Sequence, residues 1–305
     1  MEVNVKENRF KWLGAGAVML AALLWSLDGT FIRPKLYALP AGLVVFIEHI
    51  LGFLVLSPFI FLGWGKIKLL RWKEWGAIGW VSVFGGLIGT LFITKAFFAA
   101  VHGEVTFATV VILQKLQPIF ALLLARLVLG EKLKKSFYLW AGLAIVAAYF
   151  LASGRFVSLS EFMLTHKAAL FAVIAAFAFG SSTVYGKRIV NQLDFSSTAA
   201  LRFGVTSVLA GIYILATGDA FRMGQISSFQ MQLFALIVFS SGALAMFVYY
   251  YGLKKITASA ATIFELTWPL TAVALDYFIN RSVLTPVQIV SSLVLLFCFF
   301  KIAKE

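Results

Sequence analysis

The chain has 305 residues, 61% of them hydrophobic and only 13% charged, with a formal charge of +13 and a mean hydropathy of +0.94. A water-soluble domain of this size has nowhere to bury so much apolar surface. Apolar runs of about 20 residues, enough to cross a ~30 Å hydrocarbon core, recur along the whole sequence without period-2 alternation. They speak for a polytopic α-helical membrane protein and against a β-barrel.

Ten spans are predicted, at about 12–32, 41–63, 75–100, 105–126, 136–153, 168–188, 197–217, 229–251, 256–279 and 285–302. With the N-terminus inside, the inward tail and loops hold 17 Lys and Arg residues and the outward ones six: Arg33, Lys35, Arg155, Lys167, Arg222 and Arg281. Lys95, Lys115 and Arg202 fall within spans. This asymmetry predicts both termini cytoplasmic in a cell (inner or plasma) membrane. The excess charge is then topological, and no nucleic-acid partner is expected. The first span follows Lys6, Arg9 and Lys11 like a signal peptide. Its apolar stretch is long and no small-x-small site ends it, so it reads as a retained span.

Polar residues inside the spans mark where chemistry could lie, since a charge at bilayer depth costs roughly 2.5–3.5 kcal/mol on insertion scales. In chain order, the first span carries Asp28, with Ser26 and Thr30 nearby, and the second carries Glu48. In the third, Gly85 and Gly89 form a GxxxG that reads as close helix packing, while Lys95 snorkels near the outer end. The fourth brings Gln114, Lys115 and Gln117 to mid-membrane just before Pro118. The sixth has "GSSTVYGK", with Ser182 and Tyr185, and the seventh has Arg202 between Thr198 and Thr206. Glu48 and Arg202, each near one end of its span, could be gate charges as easily as site residues. Tyr249, Tyr250 and Tyr251 close the eighth span as an interfacial belt.

The ninth span places Glu265 near midplane, followed by Trp268 and Pro269. Asp276, eleven residues further on, returns to within ~20° of the same helix face. Two readings compete for Glu265 and Lys115: a salt bridge that merely holds helices together, or opposite walls of a solute cavity. Pro118 and Pro269 each remove a backbone hydrogen bond, giving either a static kink or a hinge. Trp268 could stack on a flat solute or fill core. Cys298 is the sole cysteine and excludes an internal disulfide; His49, His102 and His166 lack ligand spacing, so no metal site is expected. No phosphate loop, nucleophile elbow or other enzyme motif is present. The chain reads as a non-enzyme without cofactors.

Laying residue n against n+154 early and n+151 later superposes Trp25–Arg33 on Phe179–Lys187, Glu48 on Arg202, Gln114 on Glu265 and Pro118 on Pro269. The weak repeat divides the chain into 1–153 and 154–305, each with five spans. An odd number sends the second half in from the opposite side, and inverted repeats are a hallmark of secondary transporters with a site near midplane.

Three stretches carry a family likeness: "AALLWSLDGTFIR" in the first span, "ATVVILQKLQPIFALLLARLVLGEKL" across the fourth, and "GLKKITASAATIFELTWPLTAVALDYFINRSVLT" in the second half. In these the sequence resembles EamA-type members of the drug/metabolite transporter superfamily. The resemblance implies ten helices in two inverted five-helix repeats, moving small metabolites, often amino acids and frequently outward. One departure stands out: Gly130-Glu131 follows the fourth span, whereas Arg281-Ser282 occupies the matching place. The expectation is a secondary transporter of amino-acid-like solutes by alternating access, with an uncoupled facilitator as the alternative. Its partners are then a small molecule and the lipid bilayer. A homodimer through the fifth and tenth spans is the alternative use of their small residues.

Overall fold

The computed structural model describes residues 2–104, 107–153, 155–156, 166–280 and 285–304, and within these leaves out the side chains of 2–10, 107–109, 152–153, 166–167, 273, 276–277 and 279–280. The readings placed on Asp276, His166, Arg281-Ser282 and the join near 154–167 lie outside the described side chains or residues.

The described chain is helical throughout, without strands. Seven helical runs are long and apolar enough to cross a membrane: Lys11–Leu36, Trp72–Val101, Val110–Leu129, Ala168–Val190, Phe195–Thr217, Ser228–Lys255 and Pro286–Ala303. An eighth is the pair Ala41–Leu56 and Pro58–Ile67, bent by 74°. The predicted second span, 41–63, is therefore not one straight helix. Pro58 opens the second segment because its ring and missing N–H cannot continue the first. Lys135–Ser153 is shorter, and Ala258–Phe264 is separated from Thr267–Asn280 by a break at Glu265–Leu266.

Pairing runs between distant parts of the chain. Glu2–Leu27 packs on Ala243–Lys255, Ala41–Leu56 on Phe195–Thr217, and Lys135–Ser153 on Pro286–Ala303; His166–Val190 lies against both Gly89–Val101 and Gln117–Leu124. The last contact is backbone to backbone. A Cβ on Gly180 would sit 2.7 Å from the Gln117 carbonyl oxygen and 3.2 Å from the Ala121 nitrogen, so only glycine admits this approach. The Gly85 side of the third span likewise packs inside the chain, against Ser182 and Arg202.

The polarity is inverted relative to a soluble protein. Leucines such as Leu54, Leu123, Leu139 and Leu215 face outward, whereas Asp28, Arg33, Glu48, Lys115, Arg202 and Glu265 are buried. That is the arrangement hydrocarbon demands. Gly130 adopts a left-handed φ of 66° and turns the chain so that Glu131 reaches the start of Ala258–Phe264. Its carboxylate accepts from the Ala258 N–H at 2.8 Å, the Ser259 N–H at 3.2 Å and the Ser259 hydroxyl at 2.6 Å. Glu131 thus caps a half-helix more than a hundred residues away, where the free N–H groups and helix dipole favour an anion.

Gly180→Leu should destroy the folded protein, because an overpacked helix contact has no flexible neighbour to yield. Detergent size-exclusion chromatography checks this; a sharp, wild-type-like peak would contradict the close approach.

Candidate functional site

Irregular backbone is tolerated at membrane depth where it lines a cavity rather than lipid. Here the irregular segments converge. The first span winds as a π-turn at Asp28–Ile32. The run Ser228–Lys255 breaks between Val238 and Ala243. The run Val110–Leu129 breaks at Lys115–Leu116, where the Lys115 amide is shared between the Val111 and Ile112 carbonyls and the Leu116 amide bonds three residues back, to Leu113. The predicted ninth span breaks at Glu265–Leu266, where the Leu266 amide bonds three residues back, to Ile263. Pro118 and Pro269 follow these two breaks and explain them, since neither can donate to the preceding turn. The residues at the breaks, Asp28, Gly29, Lys115, Ser241, Gly242 and Glu265, all line one internal cavity.

At one end Arg33 holds two carboxylates. Its Nη2 donates to Asp28 Oδ2 at 2.7 Å and to Glu48 Oε2 at 2.9 Å, its Nε to Asp28 Oδ2 at 3.0 Å, and its Nη1 to Thr94 Oγ1 at 3.0 Å. The sequence reading counted Arg33 as an outer-loop charge. The structure buries it, because the π-turn brings residues five apart onto one face and the Arg33 N–H bonds the Asp28 carbonyl. On a regular helix the same spacing would leave them about 140° apart.

A second group surrounds Glu265. Its carboxylate accepts from Tyr249 at 2.8 Å and Thr183 at 3.4 Å, and from the Gln117 amide. Gln114 donates to Gln117 at 2.8 Å. The donors are neutral. No ion pair joins Lys115 and Glu265 among the described residues; the Lys115 ammonium instead sits 5.0 Å from the Trp268 ring centroid, a cation–π contact. The Trp268 ring runs parallel to Phe97, within 7°, with centroids 6.4 Å apart. Gly29 lies beside both: a Cβ there would be 3.0 Å from Trp268 and 3.2 Å from Phe97.

The third feature is Arg202, whose Nη1 reaches only the Met246 sulfur at 3.1 Å and the Tyr250 hydroxyl at 3.3 Å. No carboxylate pairs with it among the described residues.

Of the residues expected from the sequence, Asp28, Glu48, Gln114, Lys115, Gln117, Ser182, Arg202, Glu265 and Trp268 line the cavity. Tyr185 does not. Trp80 occupies its side of the helix, donating to Ser181 at 3.1 Å and stacking on the Tyr185 ring at 4.8 Å. Lys95 lies over Phe92 at 5.5 Å and Phe171 at 5.9 Å. Tyr249 is not interfacial: its helix runs on to Lys255, which draws the ring inward, 3% exposed, onto Glu265. Sequence reasoning also passed over His49, stacked on Phe203 at 4.9 Å, and over Thr183, Phe97 and Gly29. Thr183, beside the singled-out Ser182, was the most accessible of these.

The EamA-like transporter family model matches residues 12–153 and 166–302. The chain belongs to this family. It is 38% identical over 307 residues to the riboflavin transporter ImpX of Fusobacterium nucleatum subsp. nucleatum, covering 98% of this chain and 99% of that protein. It is 23% identical to protein LicB of Haemophilus influenzae, over 91% of this chain and 92% of LicB. A solved crystal structure shares the fold at a TM-score of 0.67 and 16% identity, over 95% of this chain and 94% of that one. This EamA-like transporter is therefore a helical membrane protein that moves small metabolites.

The two cavity arginines differ in what their loss leaves behind. Arg33→Met strands Asp28 and Glu48 as unpaired buried carboxylates and should cost on the order of 3–5 kcal/mol. Arg202→Met strands none and should cost far less. Thermal melts in detergent check the contrast; equal losses would contradict this assignment of partners.

Proposed function

We propose that this EamA-like transporter carries a flat, uncharged heteroaromatic solute of the riboflavin class through the central cavity by alternating access. The parallel Phe97–Trp268 pair facing a polar cavity carries the reading. Aromatic faces stack on flat solutes, and the polar wall offers orienting hydrogen bonds, the usual make-up of a small-molecule site. The ImpX relative, named a riboflavin transporter, supports the same class.

An amino-acid-like solute is less well served. Its ammonium would need a carboxylate not already ion-paired, yet Asp28, through Oδ2, and Glu48 are paired with Arg33, and Glu265 is engaged by Tyr249, Thr183 and Gln117; of these carboxylates Asp28 keeps one oxygen, Oδ1, without a hydrogen bond among the described residues. The cavity wall carries three cations, Arg33, Lys115 and Arg202, and three carboxylates, Asp28, Glu48 and Glu265. It is formally neutral, which suits an uncharged cargo.

Mechanistically, the halves 1–153 and 154–305 form two inverted five-helix repeats, ten spans in all, that rock about the midplane. Pro118 and Pro269 are their hinges, and both termini face the cytoplasm across the plasma membrane. Export is the direction the family resemblance implies. Proton coupling would run through Glu265 or Asp28.

Proteoliposomes holding the purified chain should exchange labelled riboflavin, with uptake accelerated by unlabelled riboflavin inside. Trp268→Ala or Phe97→Ala should slow exchange about tenfold or more, from the ~1–3 kcal/mol that stacking on one aromatic face contributes. Riboflavin flux without such trans-stimulation would identify a passive facilitator, and no flux would reject the substrate class. Wild-type pH dependence in Glu265→Gln would reject coupling through that residue.

A further inference from the structure

We propose that Arg202 and Ser182 form an acceptor-binding subsite that reads the paired ring carbonyls of the cargo, the imide edge of a flavin. This assignment rests on the flavin-class reading above.

The contrast between the two cavity arginines carries it. Arg33 and Arg202 are equally deep, 5% and 7% exposed. Arg33 is neutralised in place by two carboxylates and a hydroxyl. Arg202 has a thioether and a phenol on one nitrogen, and its Nε–H has no acceptor among the described residues. Beside it the Ser182 hydroxyl, 4% exposed, also lacks a hydrogen-bond partner among the described residues. An unmet buried donor is costly, more so on a charged group, and both residues belong to the cavity lining.

The pair is held rather than loose. Gly85 leaves the space the two occupy: a Cβ there would collide with Ser182 Oγ and come within 3.2 Å of an Arg202 terminal nitrogen. The Thr206 hydroxyl, one turn beyond Arg202, donates to the Ser82 carbonyl at 3.3 Å and ties this helix to the third span. Ser182 also adjoins Thr183, which belongs to the Glu265 group. A ligand that completes this corner must bring hydrogen-bond acceptors, and the formal neutrality of the wall favours carbonyl oxygens over an anion. A flat ring with a dicarbonyl edge satisfies both demands while stacking on the aromatic pair.

The test is fluorescence titration of the detergent-purified full chain with riboflavin, lumichrome (the same dicarbonyl edge without the sugar-alcohol chain), flavin mononucleotide and phenazine (a flat tricycle without carbonyls). Arg202→Met should weaken riboflavin and lumichrome alike, by about 10- to 100-fold as expected for a lost charged hydrogen bond. Phenazine binding should not change. Ser182→Ala, a milder variant that serves if Arg202→Met fails to fold, should weaken both flavins by about 3- to 10-fold. Wild-type affinity for flavins in a folded Arg202→Met, or in Ser182→Ala if Arg202→Met does not fold, would overturn the subsite and leave the proposed function intact. So would a loss confined to riboflavin, which would place the polyol there, or one confined to flavin mononucleotide, which would place a phosphate there. A wild-type chain that binds neither riboflavin nor lumichrome would overturn the flavin reading itself, and the subsite with it.

Discussion

A charge inside a membrane protein must meet an opposite charge, a polar partner or water, and the Asp28–Arg33–Glu48 triad is where this constraint shapes the chain most. Three spans meet at one guanidinium, with Thr94 closing the third side. The triad needs the π-turn at Asp28–Ile32, and that turn also presents Gly29 beside the rings of Phe97 and Trp268. Unwinding it to a regular helix would separate Arg33 from Asp28 and move Gly29 away from the rings together. The charge geometry and the aromatic wall therefore depend on one irregular turn.

The other cavity charges are treated differently, and the differences define the chemistry. Glu265 is surrounded by neutral donors. Lys115 lies against an aromatic face. Arg202 alone of the cavity cations combines an unpartnered Nε–H with the absence of any carboxylate or aromatic partner among the described residues. A set of charges serving only to hold helices together would be paired throughout, as Arg33 is. Here ion-paired charges and charges with no ion pair among the described residues share one cavity. Lys115 and Glu265 sit at helix breaks, where the chain loses backbone hydrogen bonds before Pro118 and Pro269.

Much of this was legible in the sequence. Hydropathy alone gave a helical membrane protein, and depth within the apolar runs singled out Glu265, Lys115, Gln117, Asp28 and Arg202. Three of the misses, Arg33, Tyr249 and Tyr185, share a cause: each needed a departure from regular helix, a helix end or a rotation about the helix axis that composition does not encode. Arg33 looked like a loop charge because regular 100° spacing turns it away from Asp28. Tyr249 looked interfacial because the helix end was placed near Tyr251, whereas it runs to Lys255. Tyr185 sits one turn from Ser182, yet Trp80 takes its side of the helix. The 74° bend at Pro58 was signalled by the proline itself. Glu131 was legible as part of a motif but not as a cap, because its partner Ser259 lies 128 positions away.

The most direct measurement is an experimental structure of the chain in lipid with riboflavin present at saturating concentration. The account predicts one flavin in the central cavity, its ring plane along Phe97 and Trp268 and its carbonyl edge toward Arg202 and Ser182. A flavin bound elsewhere, or a cavity in which Arg202 has closed onto a carboxylate with no solute beside it, would contradict the account.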